Sequence, residues 1–289
     1  MINTNNYTLM TSAFFKSLSI SLGLLFGVGI FSAILFFTVG TWFLSTPVSD
    51  GQCNIAIITI HGEIFPYSTI TTDEFGATYY DPNTPEAIQS VLTQISDDTD
   101  IKGILLKIDS PGGSPAGSEA ITKLIQKSTL PVVALTGDMA DSGGYMIATG
   151  ADTIISSPFS DIGSIGVTMS YLDNTKKNEQ EGLTFVELSS VPHKDYLSPD
   201  RALSDEERTR VQEDLKVYHD AFVDMIATNR NIPREQMSGL ADGFSMPASK
   251  ALQNGLIDSI GDVDNARAWF AEKLQMQVDD IVICEEEII

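Results

Sequence analysis

Basic residues are scarce in this chain. Its 289 residues carry 17 Lys and Arg against 39 Asp and Glu, a formal charge of -22, and the few cations form no block. A phosphate-binding surface needs a basic stripe, so the balance argues against nucleic acid as a partner and for a solvated acidic surface. Cysteine is nearly absent too, with only Cys53 and Cys284. Two distant cysteines exclude a small disulfide scaffold and any C-x-x-C metal site, and leave open whether they pair or stay free. No metal or cofactor is expected. The polar run SDGQ ahead of Cys53 lacks the apolar and small residues of a lipid-attachment signal. Histidine is limited to His61, His193 and His219, which restricts the choice of a histidine base.

Charge of either sign is missing from residues 18–44, LSISLGLLFGVGIFSAILFFTVGTWFL. The run exceeds the roughly 20 residues needed to cross a bilayer and the about 7–15 of a cleaved signal's apolar region. It predicts an uncleaved transmembrane anchor. The expected organisation is a cytoplasmic tail at 1–17, the span at 18–44, a linker at 45–52 and one domain at 53–289. Lys16 before the span and Asp50 after it orient the domain to the extracytoplasmic side.

Beyond the linker, strand and helix signals alternate. Residues 54–64, NIAIITIHGEI, and 102–108, KGILLKI, are apolar and β-branched, as for strands buried on both faces. Residues 65–83 show no period and are expected to form a loop or flap. Thr84-Pro85 is an N-cap followed by proline and opens a helix to about Ile95. DSPGG at 109–113 makes a tight turn ahead of a helix at 119–126, and no Gly-Lys-Ser/Thr follows to make it a phosphate loop. A third strand at 131–137 delivers GDMADSGGYMIATGAD, residues 137–152. Two successive strand–turn–helix units therefore bring Gly113 and Ser142 to one edge of a parallel sheet, where α/β folds place their sites.

Ser142 stands at a helix mouth, with Gly143 and Gly144 clearing side chains from the adjoining backbone. Taken alone it reads first as an N-cap serine, the residue type that leads the capping preferences, and it is the surrounding motifs that favour an activated hydroxyl. Downstream come strand signals at 153–156 and at Leu183 to Leu188, a GSIGV turn carrying Ser164, and a loop with His193 and Lys194. Ser204 and Glu207 then form a capping box for a helix running to about Asn229.

The ordered set IHGEI, IDSPGG, MADSGGYMIATGAD, GSIGV, HKDYLSP and ADGFSMPASKALQNGLIDSIG, spanning roughly residues 53 to 265, resembles the signal peptide peptidase A (protease IV) family in its short single-repeat form. The resemblance implies an α/β fold of the Clp protease/crotonase type, built from stacked βα units. It implies Ser142 as nucleophile, Lys194 as base and Ser164 as the hydroxyl orienting the lysine. Gly113 and the backbone at Ser142-Gly143 would donate to the oxyanion. Cleaved signal peptides and other apolar peptides would be substrates, the bilayer a contact and a homo-oligomer the assembly. The chain departs from the family at Asp141, commonly alanine, and at Ser114, commonly a third glycine. Lysine serves as a base only when deprotonated, which requires a water-poor pocket; Tyr145, Met146, Ile165 and Val167 are candidates to dry it. His193 as base, a crotonase-like acyl-thioester enzyme and a catalytically silent membrane scaffold remain as alternatives.

Overall fold

A computed structural model of the chain describes residues 53–68, 70–72 and 78–287. The expected anchor at 18–44 lies outside them; among the described residues no helix is long and apolar enough to cross a membrane.

The elements alternate as the apolar pattern predicts. Strand β1 (Ile55–Ile64) is followed by a hairpin of β2 (Ile70–Thr72) and β3 (Thr78–Tyr80), then helix α1 (Pro85–Asp97). Thr84 caps α1 by accepting from the Ala87 N–H, and Pro85 occupies the first turn, where its missing N–H costs nothing. Strand β4 (Gly103–Gly113) leads to α2 (Pro115–Gln126), and β5 (Val132–Asp141) to the short α3 (Gly143–Ala148). Then come β6 (Thr153–Ser156), β7 (Asp161–Gly163), α4 (Thr175–Gln180) and the long α5 (Asp205–Asn229). The chain continues through α6 (Arg234–Leu240), β8 (Ser245–Pro247), α7 (Ala248–Gln253), β9 (Ser259–Ile260), α8 (Val263–Leu274) and β10 (Ile283–Glu287).

The strands build one sheet in the order β10-β1-β4-β5-β6-β9, parallel throughout. Successive side chains of a strand point to opposite faces, and both faces here are covered, which is why the strands are apolar at nearly every position. On one face Ala56, Ile58, Leu106 and Ala134 pack beneath Ile88 of α1 and Ile121 of α2. On the other, Ile55, Leu105 and Val133 pack on the fully buried Phe270 of α8. At the start of β1 and β10, Cys53 and Cys284 are joined in a disulfide. The two cysteines whose state the sequence left open therefore pair.

Beyond β6, β5 changes partner. Its residues 133–136 pair with β6, and Met139, Ala140 and Asp141 pair with β7, which in turn carries β8 antiparallel. This extension makes β5 longer than the strand read at 131–137 and delivers Asp141 directly to the start of α3. Three further expectations are corrected. The 65–83 stretch contains the β2–β3 hairpin. Helix α2 begins at Pro115 rather than at 119, because Ser114 caps it through the Gly117 N–H. Residues 183–188 form no strand; they are exposed and pair with no other strand.

Candidate active site

Ser142 is the hinge between β5 and α3. Its backbone lies at φ 50°, ψ -118°, and its side chain makes no capping bond to the first turn of α3. The N-cap role is thus filled in position but not in chemistry, and the hydroxyl remains free. A non-glycine residue at positive φ costs of order 1–3 kcal/mol and persists only where neighbours determine it. Here the Ser142 N–H donates to the Gly163 carbonyl (2.7 Å) and the Ser142 carbonyl accepts from the Met146 N–H (3.0 Å).

Glycines let β4 approach this elbow. A Cβ on Gly112, at φ 100°, would lie 2.7 Å from the Gly143 nitrogen and 2.8 Å from the Ser142 Cβ. One on Gly144 would lie 2.8 Å from the Ser110 carbonyl oxygen, so α3 seats directly on β4. Ser110 stiffens the turn by donating to the Gly62 carbonyl (2.6 Å) and accepting from the Gly112 N–H (3.1 Å).

Ser142, Gly113 and Gly143 meet at one cavity of about 560 Å³. Met146 and Val167 line it, as expected of residues that keep the site dry. Tyr145 and Ile165 do not. Tyr145 is fully buried in the core, its hydroxyl donating to the Leu256 carbonyl (2.7 Å), and burial raises that phenol's pKa well above its ordinary value, away from any acid–base use. The far wall comes from α5, through Tyr218, Phe222 and Met225. These residues stand at i, i+4 and i+7, one face of a helix. The sequence carried that stripe, but a stripe alone does not say which surface it faces.

Two predicted residues are not brought to the cavity. Ser164, at φ 47°, donates its N–H to the Phe244 carbonyl (3.1 Å) and its hydroxyl to the Gly243 carbonyl (3.2 Å). Lys194 is exposed on a turn and is not among the residues lining the cavity. Its neighbour His193 is held by Glu207 on the first turn of α5, at 3.0 Å.

Asp141 does not line the cavity either. Its Oδ1 is buried and has no hydrogen-bond partner, and desolvation, with a smaller contribution from the Asp161 carboxylate, raises its pKa to about 6. Ser114, the other departure, is the cap of α2. Among the described residues no group of three or more His, Cys, Asp or Glu side chains could hold a metal ion.

Residues 125–277 match the model of peptidase family S49. The chain is 36% identical over 184 residues to an Enterococcus faecium protein named as a signal peptide peptidase SppA, an overlap of 62% of this chain and 54% of the relative. It is 33% identical over 242 residues to Protease 4 of Salmonella typhi, covering 81% of this chain and 37% of that one. The match therefore spans about half or less of these curated relatives. Among solved structures it is similar to a ClpP1 variant from Listeria monocytogenes, with 16% identity, 74% of this chain and 92% of that chain covered, and a TM-score of 0.45.

Proposed function

Because the chain belongs to peptidase family S49, we propose that it is a serine endopeptidase whose nucleophile is Ser142 and whose base is Lys194. The observation that carries this reading is the free hydroxyl of Ser142, held at positive φ at the mouth of an apolar cavity. The Ser142 Oγ attacks the scissile carbonyl carbon while its proton passes to a neutral Lys194 Nζ. The developing oxyanion is met by the N–H groups of Gly143 and Gly113. Gly143 opens α3, where N–H groups have no intrahelical partner. The C–N bond then breaks, the lysine returns its proton to the leaving amine, and water hydrolyses the acyl-enzyme.

The wall of Met146, Val167, Phe222 and Met225 suits an apolar side chain, which supports signal-peptide remnants and other apolar peptides as substrates. The Cys53–Cys284 disulfide supports an oxidising compartment, in keeping with a domain held on the extracytoplasmic side by the anchor at 18–44. The exposure of Lys194 supports a homo-oligomer. Leu183, Val186, Leu188 and Val191 are exposed on the same segment and would dock on a second copy, carrying Lys194 and its orienting Ser164 contact to a shared site.

Mixing two inactive variants of the full chain tests this reading. Ser142→Ala and Lys194→Ala should each be inactive on a fluorogenic apolar peptide, and co-assembled they should regain measurable turnover. Full activity in either variant alone would rule the dyad out. A folded wild-type chain that neither cleaves peptide nor reacts with a serine-directed probe would favour the silent scaffold.

A further inference from the structure

Lys194 lies in a stretch that core packing does not hold: residues 181–194 are exposed throughout. Yet both of its chain neighbours are pinned. On one side the His193 Nδ1 lies 3.0 Å from the Glu207 Oε1. On the other, the Arg201 Nε donates to the Asp195 carbonyl (3.1 Å), and the same nitrogen lies 3.3 Å from the Glu187 carboxylate. Arg201 and Glu207 close the structure on themselves. The guanidinium donates from Nη2 to Oε1 (2.7 Å) and from Nη1 to Oε2 (2.9 Å), while Oε2 also accepts from the Ser204 N–H (2.9 Å).

Glu207 is thus the hub. It is 5% exposed, and its two oxygens serve Arg201 twice, His193 once and the Ser204 N–H once. A bidentate Arg–carboxylate pair fixes orientation as well as distance. Its partners hold the Glu207 carboxyl well below the usual range, Arg201 foremost, then Ser204 and His193. His193 itself sits at φ 64°, a left-handed conformation uncommon outside glycine but favoured by His and Asn among the rest. Among the described residues Lys194 makes no hydrogen bond or ion pair. Every neighbour is tied down and the amine is left free.

We propose that Glu207, Arg201 and His193 are positioning residues that present Lys194 to the site, with Glu207 as the fixed point on α5. The inference rests on Lys194 being the base. It does not require His193 to exchange a proton, nor does it depend on which copy's Ser142 the lysine serves.

Three substitutions in the full chain separate positioning from mere structure, with kcat and KM measured against pH on an apolar peptide beside Lys194→Ala. His193→Gly keeps the left-handed backbone without strain but loses the bond to Glu207. It should lower kcat at least tenfold, leave KM within twofold and leave the midpoint of the ascending pH limb unmoved. His193→Asn tolerates the same φ and puts an amide nitrogen where Nδ1 was, so kcat should return to within about threefold of wild type. Glu207→Gln, which weakens the hold on both Arg201 and His193, should be at least as impaired as His193→Gly. Wild-type kcat in His193→Gly, with Lys194→Ala inactive, overturns the positioning role and leaves the dyad standing. A limb shifted by more than about one pH unit, or His193→Asn as inactive as Lys194→Ala, overturns it in favour of an acid–base role for His193. Activity surviving in Lys194→Ala removes the base and the clasp's purpose together.

Discussion

The Ser142 N–H and the Gly163 carbonyl are joined by a hydrogen bond of 2.7 Å, which ties the elbow between β5 and α3 to the end of β7. With that N–H committed, the proposed oxyanion donors are the N–H groups of Gly143 and Gly113. It also identifies what keeps Ser142 at φ 50°. Relieving the strain of a side chain there returns roughly 1–3 kcal/mol, while glycine's extra freedom in the unfolded chain takes back about 0.5–1 kcal/mol. Ser142→Gly should therefore be more stable than Ser142→Ala by about 1 kcal/mol, with both inactive. Since the serine makes no capping bond, Ser142→Ala should match wild type in stability. Urea unfolding of the three proteins reads this directly, and equal stability of the glycine and alanine variants would mean the elbow is unstrained.

Gly112 gives the second expectation. A Cβ there lands 2.8 Å from the Ser142 Cβ and 2.7 Å from the Gly143 nitrogen, so the elbow must move. A displacement of about 1 Å at reacting groups can cost on the order of a hundredfold in rate, and Gly112→Ala should lose that much in kcat/KM. Gly62→Ala is the control. Its φ is 79° but nothing lies within 4 Å of the new Cβ, so it should lose about 1 kcal/mol of stability and keep its activity. If the two variants lose activity equally, the effect is general strain and not displacement of Ser142.

The sequence made the frame of this site legible because its signals are local. Buried strands need apolar residues on both faces, Thr84-Pro85 can only start a helix, and the capping box at Ser204 and Glu207 is present on both sides. That Gly113 and Ser142 share one sheet edge follows from strand–turn–helix order, while the roles given to them and to Gly143 come from the family resemblance. What it concealed is non-local. β5 runs on to Asp141 because β7 supplies a new partner after β6 ends, which no property of β5 announces. The stretch from Leu183 to Leu188 has strand composition without a strand's partner. Tyr218, Phe222 and Met225 show helical spacing, but that they wall the Ser142 cavity depends on how α5 packs. Lys194 and Ser164 were joined to Ser142 by family resemblance, and within one chain neither reaches the cavity.

The third expectation concerns the disulfide. Cys53 and Cys284 are 231 residues apart, and their bond closes nearly the whole domain into one loop. Large loops lose the most entropy when the unfolded chain is cross-linked, and native disulfides typically contribute about 2–4 kcal/mol. The double variant Cys53→Ser/Cys284→Ser should unfold at lower denaturant by that margin. Its kcat below the new transition should be unchanged, because the bond lies at the start of β1 and Ser142 follows the far end of the parallel strand β5. A large fall in kcat without loss of stability would show instead that the bond shapes the site.

Asp141 gives the last, and it concerns pH. Burial first, and the Asp161 carboxylate second, raise its pKa from 3.8 to about 6, and its Oδ1 lacks any donor to offset the cost of charge. A carboxyl whose folded pKa lies above its unfolded value binds its proton more tightly in the native state. Its contribution to stability is therefore complete below about pH 4 and is lost as pH rises through about 6. Asp141→Asn keeps the shape and removes the ionisation. It should match wild type near pH 3.5 and be more stable at pH 7 and above, by on the order of 1 kcal/mol once solvent screening of a half-exposed group is allowed for. Asp161→Asn should recover only the smaller part of that difference, since burial is the larger cause. Unfolding free energies of wild type and both variants between pH 3.5 and 8 give the comparison. A stability difference between wild type and Asp141→Asn that stays constant across this range would show that Asp141 carries no penalty for its charge.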